Sequence, residues 1–263
     1  FHDVGREFGI YEIAMGRECR TLYVGGAKFI SPRNVDFDVS GRMIAMAGDD
    51  GVRLWDLHSL KEIGRLPVPK AGTVLIDADG KSLITHAQAG FQRWPMVAER
   101  GGNHLRIGPP ELISPLRGNP IYHTHPKLSL DGRWLAVAIP NGAAVIDLNK
   151  PDAPLRFEGH VGAGGLDISP DGRWIATVTQ HSSGIKIWDT HGVEPVRTLP
   201  AANYSVAYFS PDGKWLITGS IGHESQKWSV GSWTAQPLKQ YPGVANVSWT
   251  RDGKILALAY DAQ

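Results

Sequence analysis

Leu166-Asp167-Ile168-Ser169-Pro170-Asp171-Gly172-Arg173-Trp174-Ile175-Ala176-Thr177-Val178-Thr179, opened by Gly159-His160 and closed by Gly184-Ile185-Lys186-Ile187-Trp188-Asp189, is the stretch from which the fold is read. Leu166-Asp167-Ile168 alternates apolar and polar, as a half-buried strand does. Pro170-Asp171-Gly172 is a turn, in which Pro presets φ and Gly takes the position that needs φ > 0. Trp174–Thr179 and Ile185–Trp188 are runs rich in β-branched and aromatic residues, which favour strands. Three short β patterns therefore sit within one unit.

The unit repeats along the chain. Its turn glycine recurs in Ser40-Gly41-Arg42, Asp79-Gly80-Lys81, Asp131-Gly132-Arg133, Asp171-Gly172-Arg173, Asp212-Gly213-Lys214 and Asp252-Gly253-Lys254, so successive glycines lie 39, 52, 40, 41 and 40 residues apart. The Trp188-Asp189 position recurs as Tyr11-Glu12, Trp55-Asp56, Trp94-Pro95, Ile146-Asp147 and Trp228-Ser229, in the same register. A period of about 40–45 residues is that of a four-stranded propeller blade. The expected fold is all-β: a single-domain β-propeller over 1–263, with about six four-stranded antiparallel blades. Strand a precedes each turn, b follows it, c carries the Trp-Asp position and d is a polar outer strand.

Five units read as complete blades, over 34–66, 73–116, 126–156, 164–199 and 204–238. Residues 8–22 read as strands c and d alone, and 244–260 as a and b alone, so pairing them makes a sixth, composite blade. Closure of this kind removes exposed sheet edges. The alternative is a fragment of a seven- or eight-bladed ring. The 52-residue gap inserts about a dozen residues between Trp94 and Pro120, with Gly101-Gly102-Asn103 as a turn and Pro109-Pro110 unsuited to a central strand. A lengthened c–d connection over the outer rim is expected there. The chain opens on Phe1 with β pattern close behind, which reads as a segment of a longer protein.

Bulk properties narrow the function. Lys and Arg number 27 against 26 acidic residues, which leaves no electrostatic case for nucleic acid or an anionic membrane. No run approaches the roughly 20 apolar residues of a membrane-spanning helix, so no membrane insertion is expected. Cys19 is the only cysteine, which excludes an intrachain disulfide and a cysteine-based zinc site. Catalytic motifs are absent: there is no Gly-x-Ser-x-Gly, no phosphate loop and no His-Glu-x-x-His. His123-Thr124-His125 could present two imidazoles, yet no third ligand is placed by sequence. No catalytic residue, metal or cofactor is assigned. A cytoplasmic location is expected.

The Gly-His opening and Trp-Asp close resemble the WD40 repeat of β-propellers, and Gly48-Asp49-Asp50-Gly51-Val52-Arg53-Leu54-Trp55-Asp56 is the second-best match. The resemblance implies a structural hydrogen-bond network of a His from the d–a loop, a Ser or Thr on strand b, an Asp in the b–c turn and the strand-c Trp. His160, Thr177 and Trp188 fit it but lack an Asp between Gln180 and Gly184; Asp49 or Asp50 with Trp55 lacks a preceding Gly-His. Arg93-Trp94-Pro95 with Leu105-Arg106-Ile107-Gly108-Pro109-Pro110 is similar to WD40 regions of large bacterial multidomain proteins, some of which carry a Ser/Thr kinase domain.

Topology then locates the candidate site. The d–a loops and b–c turns emerge at one end of a propeller, and there lie Arg33, Asp49, Tyr122, His123, His181, Tyr204, His223 and Tyr241, a composition suited to contact with a partner. His160 reads as a blade-core residue. The opposite end carries Arg42, Lys81, Arg133, Arg173, Lys214 and Lys254, each near a turn Asp, a solvated rim. The expected function is a non-enzymatic scaffold that binds a protein or peptide through the loop-bearing end. The alternative is a small-ligand sensor or a propeller hydrolase or lactonase using the central channel.

Overall fold

The computed structural model describes residues 7–11, 19–23, 33–98, 105–116, 125–179, 184–192, 194–220, 223–242, 244–250, 252–254 and 256–260. The chain forms two compact units, Phe1–Arg117 and Gly118–Gln263. Every regular element among the described residues is a strand.

In the first unit, β1 (Glu7–Tyr11) pairs antiparallel with β2 (Cys19–Tyr23). Sheet I follows as β3 (Asn34–Phe37), β4 (Met43–Gly48), β5 (Gly51–Asp56) and β6 (Lys61–Leu66), each bonded to the next. Sheet II holds β7 (Thr73–Ile76), β8 (Ser82–Ala87), β9 (Gly90–Ala98), β10 (Leu105–Ile107) and β11 (Glu111–Ser114).

In the second unit, sheet III is β12 (Lys127–Leu128), β13 (Trp134–Ile139), β14 (Gly142–Asp147) and β15 (Leu155–Glu158). Sheet IV is β16 (Ala163–Ile168), β17 (Trp174–Thr179), β18 (Ile185–Asp189) and β19 (Pro195–Leu199). Sheet V is β20 (Ser205–Phe209), β21 (Trp215–Ser220), β22 (His223–Ser229) and β23 (Ala235–Pro242). β24 (Val244–Trp249) and β25 (Leu256–Tyr260) close the chain as an antiparallel pair.

Burial explains the composition of each strand. The second strands β4, β13, β17 and β21 are buried from their second residue onward, and neighbouring sheets cover both faces of β17 and β21. The outer strands β6, β15 and β19 are mostly exposed and carry the charge. Within each unit, cores lie between successive sheets. Phe157, Ala138 and Val145 of sheet III pack with Ile168, Ile175 and Trp188 of sheet IV, and Val178 and Ile187 of sheet IV pack with Phe209, Leu216 and Trp228 of sheet V. At about 25 cal/mol per Å² of apolar surface removed from water, these interfaces supply the main driving force.

The recurrent turn is built as its residues predict. In sheet IV the Ser169 hydroxyl donates to Asp171 Oδ1 at 2.6 Å and accepts from Trp174 N at 2.8 Å, while Arg173 N donates to Asp171 Oδ1 at 3.1 Å. Ser210 and Asp212 repeat this in sheet V. Gly172 sits at φ 72°, in the left-handed region, and a Cβ there would meet Trp134 Cδ1 at 2.0 Å. The turn aspartates are thus structural, as their repetition suggests.

The insertion differs from expectation. It is no simple loop over the rim: β9 is lengthened to nine residues, β10 pairs with its second half through Leu105↔Ala98 and Ile107↔Met96, and β11 pairs with its first half. Leu105 and Ile107, alternating around Arg106, pack on the core that holds Leu54, Leu66, Trp94 and Met96. Two apolar side chains on one strand face make packing cheaper than solvation. Gly101-Gly102-Asn103 lies outside the described residues.

Candidate partner-binding face

The d–a connections and b–c turns share one end of each sheet. In the first unit, Arg33 and Asp49 meet there, Nη2 to Oδ1 at 2.6 Å, and Lys70 N donates to Asp49 O at 3.0 Å. Asp50 accepts from Arg53 at 2.6 Å and from Arg65 at 3.0 Å, and Arg53 also reaches Glu62 at 3.0 Å. Asp49 is therefore committed to a surface pair and Asp50 to holding the b–c turn.

In the second unit the described part of the loop-bearing end exposes Val161 and Tyr204 together with Asn141, Glu158 and Asn203. Tyr204 is half exposed, at φ 54°, and Val161 is 75% exposed. His223 and Tyr241 fall within β22 and β23, where loops were expected; β23 runs to Pro242, four residues past the expected end at 238. Tyr122, His123 and His181 lie outside the described residues. Of the sequence candidates, Arg33 and Asp49 are brought together.

Beneath this end, sheet IV carries the His160 network. Trp188 Nε1 donates to Thr177 Oγ1 at 2.9 Å, and His160 Nδ1 lies 2.6 Å from the same oxygen. Burial, assisted by the Lys186 ammonium, pushes the imidazole down to about 4, so it is neutral at pH 7. Lys186 Nζ donates to Gly159 O at 2.5 Å and holds the loop that delivers the ring. Trp94 to Thr85 and Trp228 to Thr218 repeat the indole–hydroxyl bond, each at 2.9 Å. In sheet I the matching strand-b position is Met46, and the buried Trp55 Nε1 has no partner among the described residues. Beside Trp228 in sheet V lies a cavity of about 690 Å³, lined among the described residues by Pro200, Ala201, Ala202, Thr218, Gln226 and Trp228 with their neighbours.

The opposite end is neutralised pair by pair. Its arginines do not use the turn aspartates, as expected, but the carboxylate of the Trp-Asp position: Arg42 to Asp56 at 2.7 Å, Arg133 to Asp147 at 2.8 Å and Arg173 to Asp189 at 3.1 Å. Where that carboxylate is replaced, by Pro95 or Ser229, the basic residue is Lys81 or Lys214, paired to the turn Asp79 or Asp212. The reason is reach. Strand pairing puts Trp174 opposite Asp189, within range of the adjacent guanidinium.

A polar group that the sequence reading passed over lies on the first strands of sheets III, IV and V. Lys127, Asp167 and Tyr208 each stand five residues before a turn glycine. Asp167 Oδ2 accepts from Phe209 N at 2.7 Å, and Lys127 Nζ lies 5.9 Å from the Tyr208 ring centre. Desolvation raises the Asp167 carboxyl, against the pull of Lys127; burial and then the Asp167 charge raise Tyr208. The readable signal was a polar residue at one fixed repeat position in otherwise apolar strands. Among the described residues no three His, Cys, Asp or Glu side chains gather to hold a metal, and no helix is long and apolar enough to cross a membrane.

Four-stranded antiparallel sheets in consecutive strand order, repeated along the chain, are the blades of β-propellers. Residues 154–189 and 193–230 match the family model described as WD domain, G-beta repeat. An uncharacterized WD repeat-containing protein of Synechocystis sp. is 35% identical over 102 residues, 36% of this chain and 28% of that protein. One from Deinococcus radiodurans is 29% identical over 89 residues, 31% of this chain and 34% of that one. The matches thus span about a third or less of those relatives. Hydrazine synthase of Kuenenia stuttgartiensis shares the fold, with a TM-score of 0.61 and 16% identity over 90% of this chain and 76% of its own. Residues 154–230 thus carry two WD40 repeats. WD40 repeats generally mediate protein interactions.

Proposed function

We propose that the chain is a non-enzymatic platform that binds a protein or peptide through the loop-bearing ends of its blades. The observation that carries this reading is the contrast between the two ends of the second unit. At one end, Val161 and Tyr204 are exposed and the connection that carries Tyr204 lines the cavity; at the other, cations are matched to carboxylates. Exposed apolar and aromatic side chains beside a concavity favour a desolvating partner, whereas paired surface charges contribute little. Peptides selected from a displayed library against the whole chain test it. A Val161→Ser, Tyr204→Ala double variant should weaken the selected peptides at least about tenfold, the loss of one good hot spot. Lys214→Ala, at the other end, should leave them unchanged. Equal weakening by both variants, or by neither, removes the reading.

A second reading, recognition of a small ligand, draws support from Lys127, Asp167 and Tyr208, since polar groups converging on one point are what such a site needs. Asp167→Asn separates the two. A small-ligand site loses its ligand, whereas peptide binding at the loop-bearing end persists.

A further inference from the structure

We propose that the cavity beside Trp228 in sheet V receives the imidazole ring of a histidine presented by a partner peptide. The inference deepens the platform reading and rests on it. Its basis is a comparison internal to the chain. His160 stands twelve residues before Gly172, and Ala201 stands twelve residues before Gly213. The wall that His160 meets in sheet IV is rebuilt in sheet V. Trp188 is opposite Ile175 with Thr177 two residues on, and Trp228 is opposite Leu216 with Thr218 two residues on. The indole–hydroxyl bond is 2.9 Å in both.

Only the third member differs. In sheet IV an imidazole nitrogen sits 2.6 Å from the Thr177 hydroxyl. In sheet V a methyl group stands in its place, and the cavity of about 690 Å³ opens there. Sheet II shows another solution: Val68, twelve residues before Gly80, is buried in the cluster that contains Trp94. Of the three Trp–Thr pairs among the described residues, sheet V alone has a methyl group at the position twelve residues before its turn glycine.

The wall has the chemistry to take a ring. Thr218, 3% exposed, accepts from Trp228 Nε1 through its hydroxyl, which among the described residues keeps its own proton and a second lone pair. A neutral imidazole offers one donor and one acceptor, so either tautomer complements it. Gln226 replaces the Lys186 of sheet IV, so no charged side chain is among the described lining, which besides Thr218 holds the indole, Pro200, Gly219, Ser220 and three alanines, Ala201, Ala202 and Ala235. Ala202 N donates to Ser220 Oγ at 3.3 Å and pins the connection that lines the cavity. The volume exceeds that of one ring, which leaves room for the peptide that carries it, and Tyr204 stands exposed three residues beyond Ala201.

The probe is N-acetyl-histidine-N-methylamide, titrated into the whole chain while the indole N–H resonance of Trp228, assigned with Trp228→Phe, is followed by NMR. A saturable shift with a dissociation constant on the order of millimolar is expected for so small a ligand. The blocked alanine analogue should give none. Ala201→His should abolish the shift by filling the cavity from within. Ala235→Phe fills the cavity from the exposed outer strand and should weaken binding at least tenfold, which keeps the test decisive where Ala201→His does not fold. No saturable shift up to about 10 mM, an unchanged affinity in the folded variants, or equal affinity for blocked phenylalanine overturns the proposal. Selected peptides that still lose binding in the Val161→Ser, Tyr204→Ala variant while the probe stays silent overturn this inference alone.

Discussion

Sheets IV and V are the same device finished in two ways. Both place a strand-c Trp against a strand-b Thr and both use the Ser-Pro-Asp-Gly turn. Sheet IV closes over its Trp with His160, leaving Trp188 with no exposure, whereas sheet V leaves a cavity beside Trp228. The difference teaches that a repeat can lose one capping side chain and keep its strands, because burial between sheets, rather than the cap, holds each blade.

The largest way to break that comparison is to remove the two tryptophans. Trp188→Ala should cost about 3–5 kcal/mol, as for a fully packed aromatic, and Trp228→Ala at least about 1 kcal/mol less, since its ring already borders open space. Urea denaturation of both variants measures the gap, and equal losses would mean that the two walls are equally filled.

Acid should act through sheet IV. The folded His160 imidazole holds its proton less tightly than the unfolded one, so the unfolded chain binds more protons between pH 6.5 and about 4. Stability therefore falls as pH drops through that window, by roughly 2–3 kcal/mol at most. In His160→Gln this component should vanish from the pH profile of the thermal midpoint; sheet V has Ala201 at that position and adds no matching component.

The turns sharpen the comparison next. Gly213→Ala should cost about 1 kcal/mol for its left-handed φ alone. Gly172→Ala should cost about 2–3 kcal/mol, because its Cβ also displaces the Trp134 ring. Calorimetry that ranks them in reverse would contradict the packing of sheet III against sheet IV.

The smallest contrast lies in the hydroxyls. Thr177→Val strands both the Trp188 indole and the His160 ring, and Thr218→Val strands one indole, so losses of about 2 and about 1 kcal/mol are expected. Denaturant titration of the pair resolves that difference.

Much of this was legible in the chain. The spacing of Gly41, Gly80, Gly132, Gly172, Gly213 and Gly253 placed every a–b turn, and each of these glycines has φ near +70°. The turn aspartates and the core role of His160 were read correctly for the same reason: their partners lie close in sequence or recur at a fixed repeat position. The arginine partners were not, since Arg42, Arg133 and Arg173 bond carboxylates 14 to 16 residues away across a strand pair. Nor was β10, a three-residue strand that exists because an apolar core lies beneath Leu105 and Ile107.

By itself the sequence determined the repeat, the order of strands, the turn conformations and which strand faces solvent, because those follow from backbone preference and hydrophobic alternation over a few residues. Only the tertiary structure decided which carboxylate each arginine uses, that Lys127, Asp167 and Tyr208 converge, and that a methyl at Ala201 leaves a cavity where His160 fills one. These depend on distances between strands and sheets, and the absence of a side chain leaves no mark in a sequence until its neighbours are in place.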